Sequence, residues 1–420
     1  MKPQRCVYVY LGCIATILFF ALLQNQISSI LPQQQLTLSR LLRKQNLSNL
    51  RFLAFGTSRA WGAGLKNRYE AYPFLLSENT TNLAIRAAGC EYPSLCTLSM
   101  VKDDVYDVIL IEYNHVAEEK EYYQRLATKL RRRFPNATMI FLYAWSPFQY
   151  VNDQGKNPFD ARLQLYPTRT EMRQMRRRLD EMWKAIASNS TWSLKEDSRN
   201  RDIIHDTANK VGGHVWELPK LEDATKNLET YGPLFLPDCT HYSTEGHVLI
   251  QQGIISILQQ IQPTRDDTLG PWDSWDRCDS WFASGNTSLK TDMKMVEFSS
   301  QKFALEAPGF VEFQVDRPVM LSINYMAGGP EQIYPLTQIR VGYHTVELKP
   351  LVQTHAQEKK AIHIVQTVAI GVVEPGTMKL ELLPLEENQN PFRIVGVVIT
   401  SVVEADSTLP VEAKQRQMPT

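Results

Sequence analysis

Residues 50–262 predict an α/β fold. Apolar runs alternate there with amphipathic stretches, the signature of a parallel sheet covered by helices on both faces. Beyond residue 290 the helical period vanishes. Short runs rich in Val, Ile, Phe and Tyr recur between Gly and Pro turns, which predicts an all-β, sandwich-like domain. An uncharged run from Cys6 to Leu23, preceded by Lys2 and Arg5, predicts a single transmembrane signal anchor ahead of both.

The length of 420 residues is long enough for two domains. Apolar content of 43% and charged content of 21% are those of globular protein, and the net formal charge is zero. That balance gives no electrostatic ground for nucleic acid as a partner. The expected order is a cytoplasmic tip and anchor at 1–26 and a stem at 27–49. The α/β domain at 50–262, a connector at 263–290, the β domain at 291–405 and a disordered tail at 406–420 follow. The anchor's flanking charges place the rest of the chain in the lumen of the secretory pathway, the Golgi included, or outside the cell. A cleaved signal peptide and secretion is the alternative. Five sequons suit that compartment, at Asn46, Asn79, Asn136, Asn189 and Asn286. Cys90, Cys96, Cys239 and Cys278 lie beyond the anchor, and four cysteines allow three pairings. A local Cys90–Cys96 loop would leave Cys239 to pair with Cys278. No zinc-ligand spacing appears, so neither a metal nor a cofactor is expected.

Taken in order, the first strand is Arg51–Phe55. Its apolar run stops at Gly56, and Ser58 follows at a strand-to-helix turn. A serine there projects from the C-terminal edge of a parallel sheet, where backbone N–H groups converge. A helix is expected over Arg59–Leu76, strands over Asn82–Arg86 and Val105–Glu112, and helices over Tyr92–Lys102 and Glu118–Phe134. The last has an acidic first turn and a basic last turn that suit the helix dipole. Thr138–Ala144 is the fourth strand. The loop from Ser146 to Pro167 is long enough to wall a cleft. A helix over Thr168–Ser188, a helix over Asp197–Val211 stopped by Gly212-Gly213, a strand over His214–Leu218 and a helix over Thr244–Ile261 complete the domain. Strands in the second domain are expected over Met295–Phe298, Gly309–Val315, Val319–Tyr325, Gln338–Tyr343, Ile362–Val373, Met378–Leu383 and Phe392–Val402.

A nucleophile needs a base, and the base an orienting group. Asp238 precedes His241 by three residues, just before the last helix. At that spacing the carboxylate can accept from the ring and leave the other nitrogen for Ser58. His247 lies on the helix itself and reads as a packed histidine. Gly89, after the second strand, lets a backbone N–H approach a ligand. Asn114, after the third, can aim its amide at the same crevice.

Ser58, Gly89, Asn114 and Asp238-x-x-His241, in that order, resemble the SGNH (GDSL-like) hydrolase superfamily. The resemblance spans roughly residues 50–262. It implies a flavodoxin-like α/β/α sandwich, with Ser58 as nucleophile, His241 as base and Asp238 orienting it. Ser58, Gly89 and Asn114 would form the oxyanion hole. Arg59 and Glu112 are the substrate-binding candidates. The chain departs from the family pattern at Thr57, where Asp is usual, and at Glu112, where Gly is usual. Gly56-Thr57-Ser58-Arg59 with Asp238-Cys239-Thr240-His241-Tyr242 is also similar, in part, to the PC-esterase branch, which includes polysaccharide O-acetyltransferases. The expected function is hydrolysis or transfer of an acyl ester, acetyl above all, on a glycan or other acceptor. The alternative is an inactive relative on the same fold that binds glycan or protein. A glycosyltransferase is disfavoured, because neither Asp103-Asp104 nor Asp266-Asp267 ends an apolar strand.

Overall fold

The computed structural model describes residues 47, 49–101, 104–114, 116, 119–146, 150–151, 193–194, 198–218, 232–236, 240–263, 265–271, 276–281, 285, 287–299, 302–328, 334–350, 363–388 and 390–402. The expected anchor, the Thr168–Ser188 helix, the tail, most of the stem and of the Ser146–Pro167 loop, Asp238, Cys239 and the sequons at Asn46, Asn189 and Asn286 lie outside these residues. No helix among the described residues is long and apolar enough to cross a membrane. The chain divides into two compact units, Met1–Leu50 and Arg51–Thr420. In the first, Leu50 N–H donates to the Leu47 carbonyl at 3.1 Å. All that follows concerns the second.

The parallel sheet has five strands, β1 (Phe52–Gly56), β2 (Thr80–Asn82), β3 (Val108–Glu112), β4 (Thr138–Tyr143) and β7 (His214–Glu217). A two-stranded ribbon of β5 (Tyr150–Val151) and β6 (Ser193–Leu194) stands apart. The order across the sheet is β2-β1-β3-β4-β7, a doubly wound arrangement whose order reverses between β1 and β3. Every pairing is parallel. Both faces of the central strands are buried, which explains their unbroken apolar runs.

The helices are α1 (Ser58–Trp61), α2 (Tyr72–Leu76), α3 (Glu91–Leu95), α4 (Thr97–Val101), α5 (Lys120–Arg133), α6 (Ser198–Val211) and α7 (Thr244–Ile261). One face of the sheet packs Leu53, Phe55, Ile109, Ile111, Met139 and Phe141 with Leu126 and Leu130 of α5 and Ile204 and Ala208 of α6. Helix α7 reaches β7, and its Gly253 lies so close that a Cβ there would stand 1.8 Å from Trp216 Nε1.

Helix α7 has the expected bounds. The expected helix over Arg59–Leu76 is instead α1, a 3₁₀ turn at Arg68–Glu70 and α2. Gly62 and Gly64, both at φ 86°, take the left-handed conformation that ends α1. The second strand is Thr80–Asn82 rather than Asn82–Arg86. The Asn82 side chain accepts from Ala84 N–H and turns the chain out of the ladder.

The C-terminal region is antiparallel, with β8 (Asp276–Ser280), β9 (Lys290–Thr291), β10 (Lys294–Ser299), β11 (Lys302–Glu306), β12 (Gly309–Val315), β13 (Val319–Gly328), β14 (Thr337–Val341), β15 (His344–Leu348), β16 (His363–Val373), β17 (Gly376–Pro384) and β18 (Arg393–Ser401). One sheet runs β10-β11-β18-β13-β16, with β8 also on β18. The other runs β15-β14-β17-β12-β9. Val311, Phe313, Ile339, Leu380 and Leu382 of one share a core with Leu321, Ile323, Val397 and Ile399 of the other. The stretch read as a connector contributes strand β8, and β9, β11 and β15 were not anticipated.

The cysteine reading is corrected. Cys96 pairs with Cys278, and Cys90 is a buried free thiol. The bond joins the segment between α3 and α4 to β8. Asp276 of β8 adds to it by accepting from Leu98 N–H, Ser99 N–H and the Ser99 hydroxyl.

Candidate active site

The site forms where β1 and β3 end, at the reversal of strand order, the position at which open α/β sheets bind ligands. The register sets Gly56 opposite Glu112. Thr57 caps the single turn of α1, its hydroxyl accepting from Arg59 N–H. Ser58 is the first residue of that turn. Its Oγ lies 2.8 Å from His241 Nε2.

His241 is held by its neighbours. Leu236 N–H donates to its carbonyl at 2.8 Å, and Phe235 pairs with Tyr242. The Tyr242 hydroxyl donates to the Trp145 carbonyl. Arg59, a candidate substrate ligand, is tied to the protein at three points. It donates to the carbonyls of Thr240 at 3.1 Å and Ala144 at 2.7 Å and to the Ser146 hydroxyl at 3.0 Å. It ties the histidine loop to the end of β4. His247 is fully buried beneath them, its Nδ1 accepting from Tyr72 N–H.

Asn114 exchanges two hydrogen bonds with Ala144. Its Nδ2 donates to the carbonyl and its Oδ1 accepts from the N–H, which fixes the amide's orientation. The second proton on Nδ2 remains for a ligand. Two residues before Gly89 stands Ala87, whose φ of 60° is a left-handed value that costs a residue with a Cβ about 1–3 kcal/mol. Strand β16 holds it there, because Val365 N–H donates to the Ala87 carbonyl at 2.9 Å and Val365 bridges Ala88.

Ser58, Gly89 and Asn114 border one cavity of about 560 Å³. Other lining residues were invisible in the sequence: Glu91 of α3, Tyr122 of α5, Tyr325 of β13 and Gln366 and Thr367 of β16. The antiparallel region therefore supplies part of this cavity. Glu119 lies against Gly89 and accepts from Cys90 N–H at 2.6 Å, Glu91 N–H at 3.3 Å and the Cys90 thiol at 3.0 Å. Burial pushes that thiol well up, and Glu119 adds to the effect.

Burial, and then the neighbouring Glu119, push the Glu91 carboxyl up to about 7. Between about pH 4.5 and 7 the folded chain holds a proton there that the unfolded chain has released. Glu91 thus stabilises the fold at the acid end, and this contribution is lost as pH rises toward 7. The gap corresponds to on the order of 3 kcal/mol. His247, lowered to about 3 by burial, acts in the opposite sense over part of that window, so a variant isolates the carboxyl. Relative to wild type, Glu91→Gln should gain that stability between pH 4.5 and pH 7 in urea unfolding. A difference that does not change with pH would refute the assignment.

No protein-family model matches the chain. No curated protein matches it. Among solved structures it is similar to a two-domain esterase active on acetylated mannans, at 13% identity and a TM-score of 0.49, over 87% of this chain and 95% of that one. It is also similar to the psychrotrophic esterase EstA from Pseudoalteromonas sp., at 12% identity and a TM-score of 0.33, over 51% of this chain and 99% of that one. An acetyl xylan esterase, AlAXEase, matches at 12% identity and a TM-score of 0.32, over 49% of this chain and 99% of that one.

Proposed function

We propose that this protein is a serine-dependent acyl-ester enzyme. The observation that carries the reading is the 2.8 Å contact between Ser58 Oγ and His241 Nε2 at a cavity that Gly89 and Asn114 also border. His241 takes the serine proton as Oγ attacks the acyl carbon, then returns it to the departing alkoxide oxygen, leaving an acyl-serine. The N–H groups of Ser58 and Gly89 and the amide of Asn114 serve the oxyanion. Asp238 is assigned to orient the histidine. Water accepts the acyl group in an esterase, and a sugar hydroxyl accepts it in an acyltransferase. The substrate is an acyl ester, O-acetyl on a glycan in our reading. Residues 1–26 anchor the chain in a secretory membrane with the site in the lumen.

The test is to treat the full chain with a fluorophosphonate probe and map the adduct. Modification of Ser58, with turnover of p-nitrophenyl acetate, is the expected result. A folded protein that neither labels nor hydrolyses would point to the inactive binding protein instead.

The lining residues from the antiparallel region give a separate expectation. The Gln366 Oε1 accepts from the Tyr325 hydroxyl at 2.9 Å, leaving the Gln366 amide protons for a substrate hydroxyl. Removing one such bond costs about tenfold in binding. Gln366→Ala should raise KM for an acetylated oligosaccharide by that factor and leave p-nitrophenyl acetate hydrolysis unchanged. Equal effects on both substrates would count against a wall that reads the sugar.

A further inference from the structure

Glu112 lies beneath the nucleophile. One oxygen, Oε2, accepts from Thr57 N–H at 3.1 Å, the Thr57 hydroxyl at 2.9 Å and Ala60 N–H at 3.3 Å. These donors flank Ser58 on both sides. The carboxyl comes so close under the turn that a Cβ on Gly56 would stand 3.0 Å from Oε2 and 2.7 Å from Ala60 Cβ. The other oxygen, Oε1, is sealed from solvent without a hydrogen-bond partner, and the residue is only 2% exposed. Glu112 also borders the cavity that Ser58 faces.

We propose that Glu112 is a positioning residue for Ser58, its carboxyl holding the turn that aims the serine at His241. This role presupposes the serine chemistry above. The physical need is plain. Helix α1 has four residues, too few to sustain a helix by itself. Its first N–H groups have no intrahelical acceptor, and a buried N–H left unpaired is costly. Glu112 supplies the acceptor for two backbone N–H groups at once. Burial pushes its carboxyl up, against the opposing pull of Arg59 and of the bonds from Thr57 and Ala60. The buried Tyr72 hydroxyl, also without a partner, feels the same carboxyl.

A misplacement of about 1 Å costs on the order of 100-fold in rate. Glu112→Ala should therefore lower kcat for p-nitrophenyl acetate by about that factor while KM stays within about twofold. Glu112→Gln keeps an oxygen acceptor under the turn and should restore kcat to within about fivefold of wild type. Hydrogen exchange of the peptide spanning residues 52–65 gives a readout that needs no catalysis. It should speed up in Glu112→Ala and return toward wild type in Glu112→Gln. A folded Glu112→Ala protein with wild-type kcat and wild-type exchange would overturn the proposal, as would a rise in KM at constant kcat. Should Glu112→Ala fail to fold, Glu112→Met removes both carboxyl oxygens and keeps the length of the side chain. Faster exchange in that peptide would then support the brace, and unchanged exchange would overturn it. A wild-type chain that neither labels nor turns over refutes the enzyme reading, while the exchange data still judge the brace.

Discussion

Ser58→Ala should abolish turnover while leaving the fold intact. The serine is the first residue of α1, and among the described residues its hydroxyl bonds His241 Nε2, at 2.8 Å. The backbone contacts that build the turn come from Thr57, Ala60 and Glu112 and survive the change. Losing the nucleophile of such a pair costs roughly 10⁴- to 10⁶-fold in kcat. Far-ultraviolet circular dichroism and the unfolding midpoint should match wild type. Fluorophosphonate labelling and p-nitrophenyl acetate turnover should both fall to background. A Ser58→Ala protein that keeps more than about a tenth of wild-type turnover would remove Ser58 from the chemistry.

The second large effect concerns the fold. The Cys96–Cys278 disulfide closes a loop with a sequence separation of 182. A crosslink of that span removes about 5 kcal/mol of chain entropy from the unfolded state in the loop-closure model. The double variant Cys96→Ala, Cys278→Ala should therefore lose stability of that order in urea unfolding. Asp276 continues to hold Leu98 and Ser99, so the variant should keep the same fold where it is stable. A loss below about 1 kcal/mol would show that the unfolded chain is already restrained there.

The two positions at which the chain departs from the SGNH pattern touch each other. Thr57 donates to Glu112 through both its N–H and its hydroxyl. Read separately, each casts doubt on the site. Read as a pair, they form one support under Ser58. Arg59 shows the same limit of sequence reading. The resemblance made it a substrate-binding candidate, and only the fold shows that its donors also reach Thr240, Ala144 and Ser146.

By itself the sequence determined the elements whose signal is local. The continuous apolar runs of β1 and β3 announced buried parallel strands, and the break at Gly56 marked the turn that carries Ser58. Helix α7, with its serine cap, was readable to the residue. The short runs rich in Val, Ile, Phe and Tyr between Gly and Pro turns announced the strands of the C-terminal region, because β-branched and aromatic side chains pack well on a pleated surface. The tertiary structure alone decided what depends on pairs far apart in the chain. Cys96 meets Cys278, β16 braces the Ala87 carbonyl, and Gln366 and Thr367 line the cavity that Ser58 borders. Such contacts leave no periodic trace. They arise from how the parallel and antiparallel sheets dock, and docking depends on surface shape and the pairing of buried polar groups rather than on any local preference.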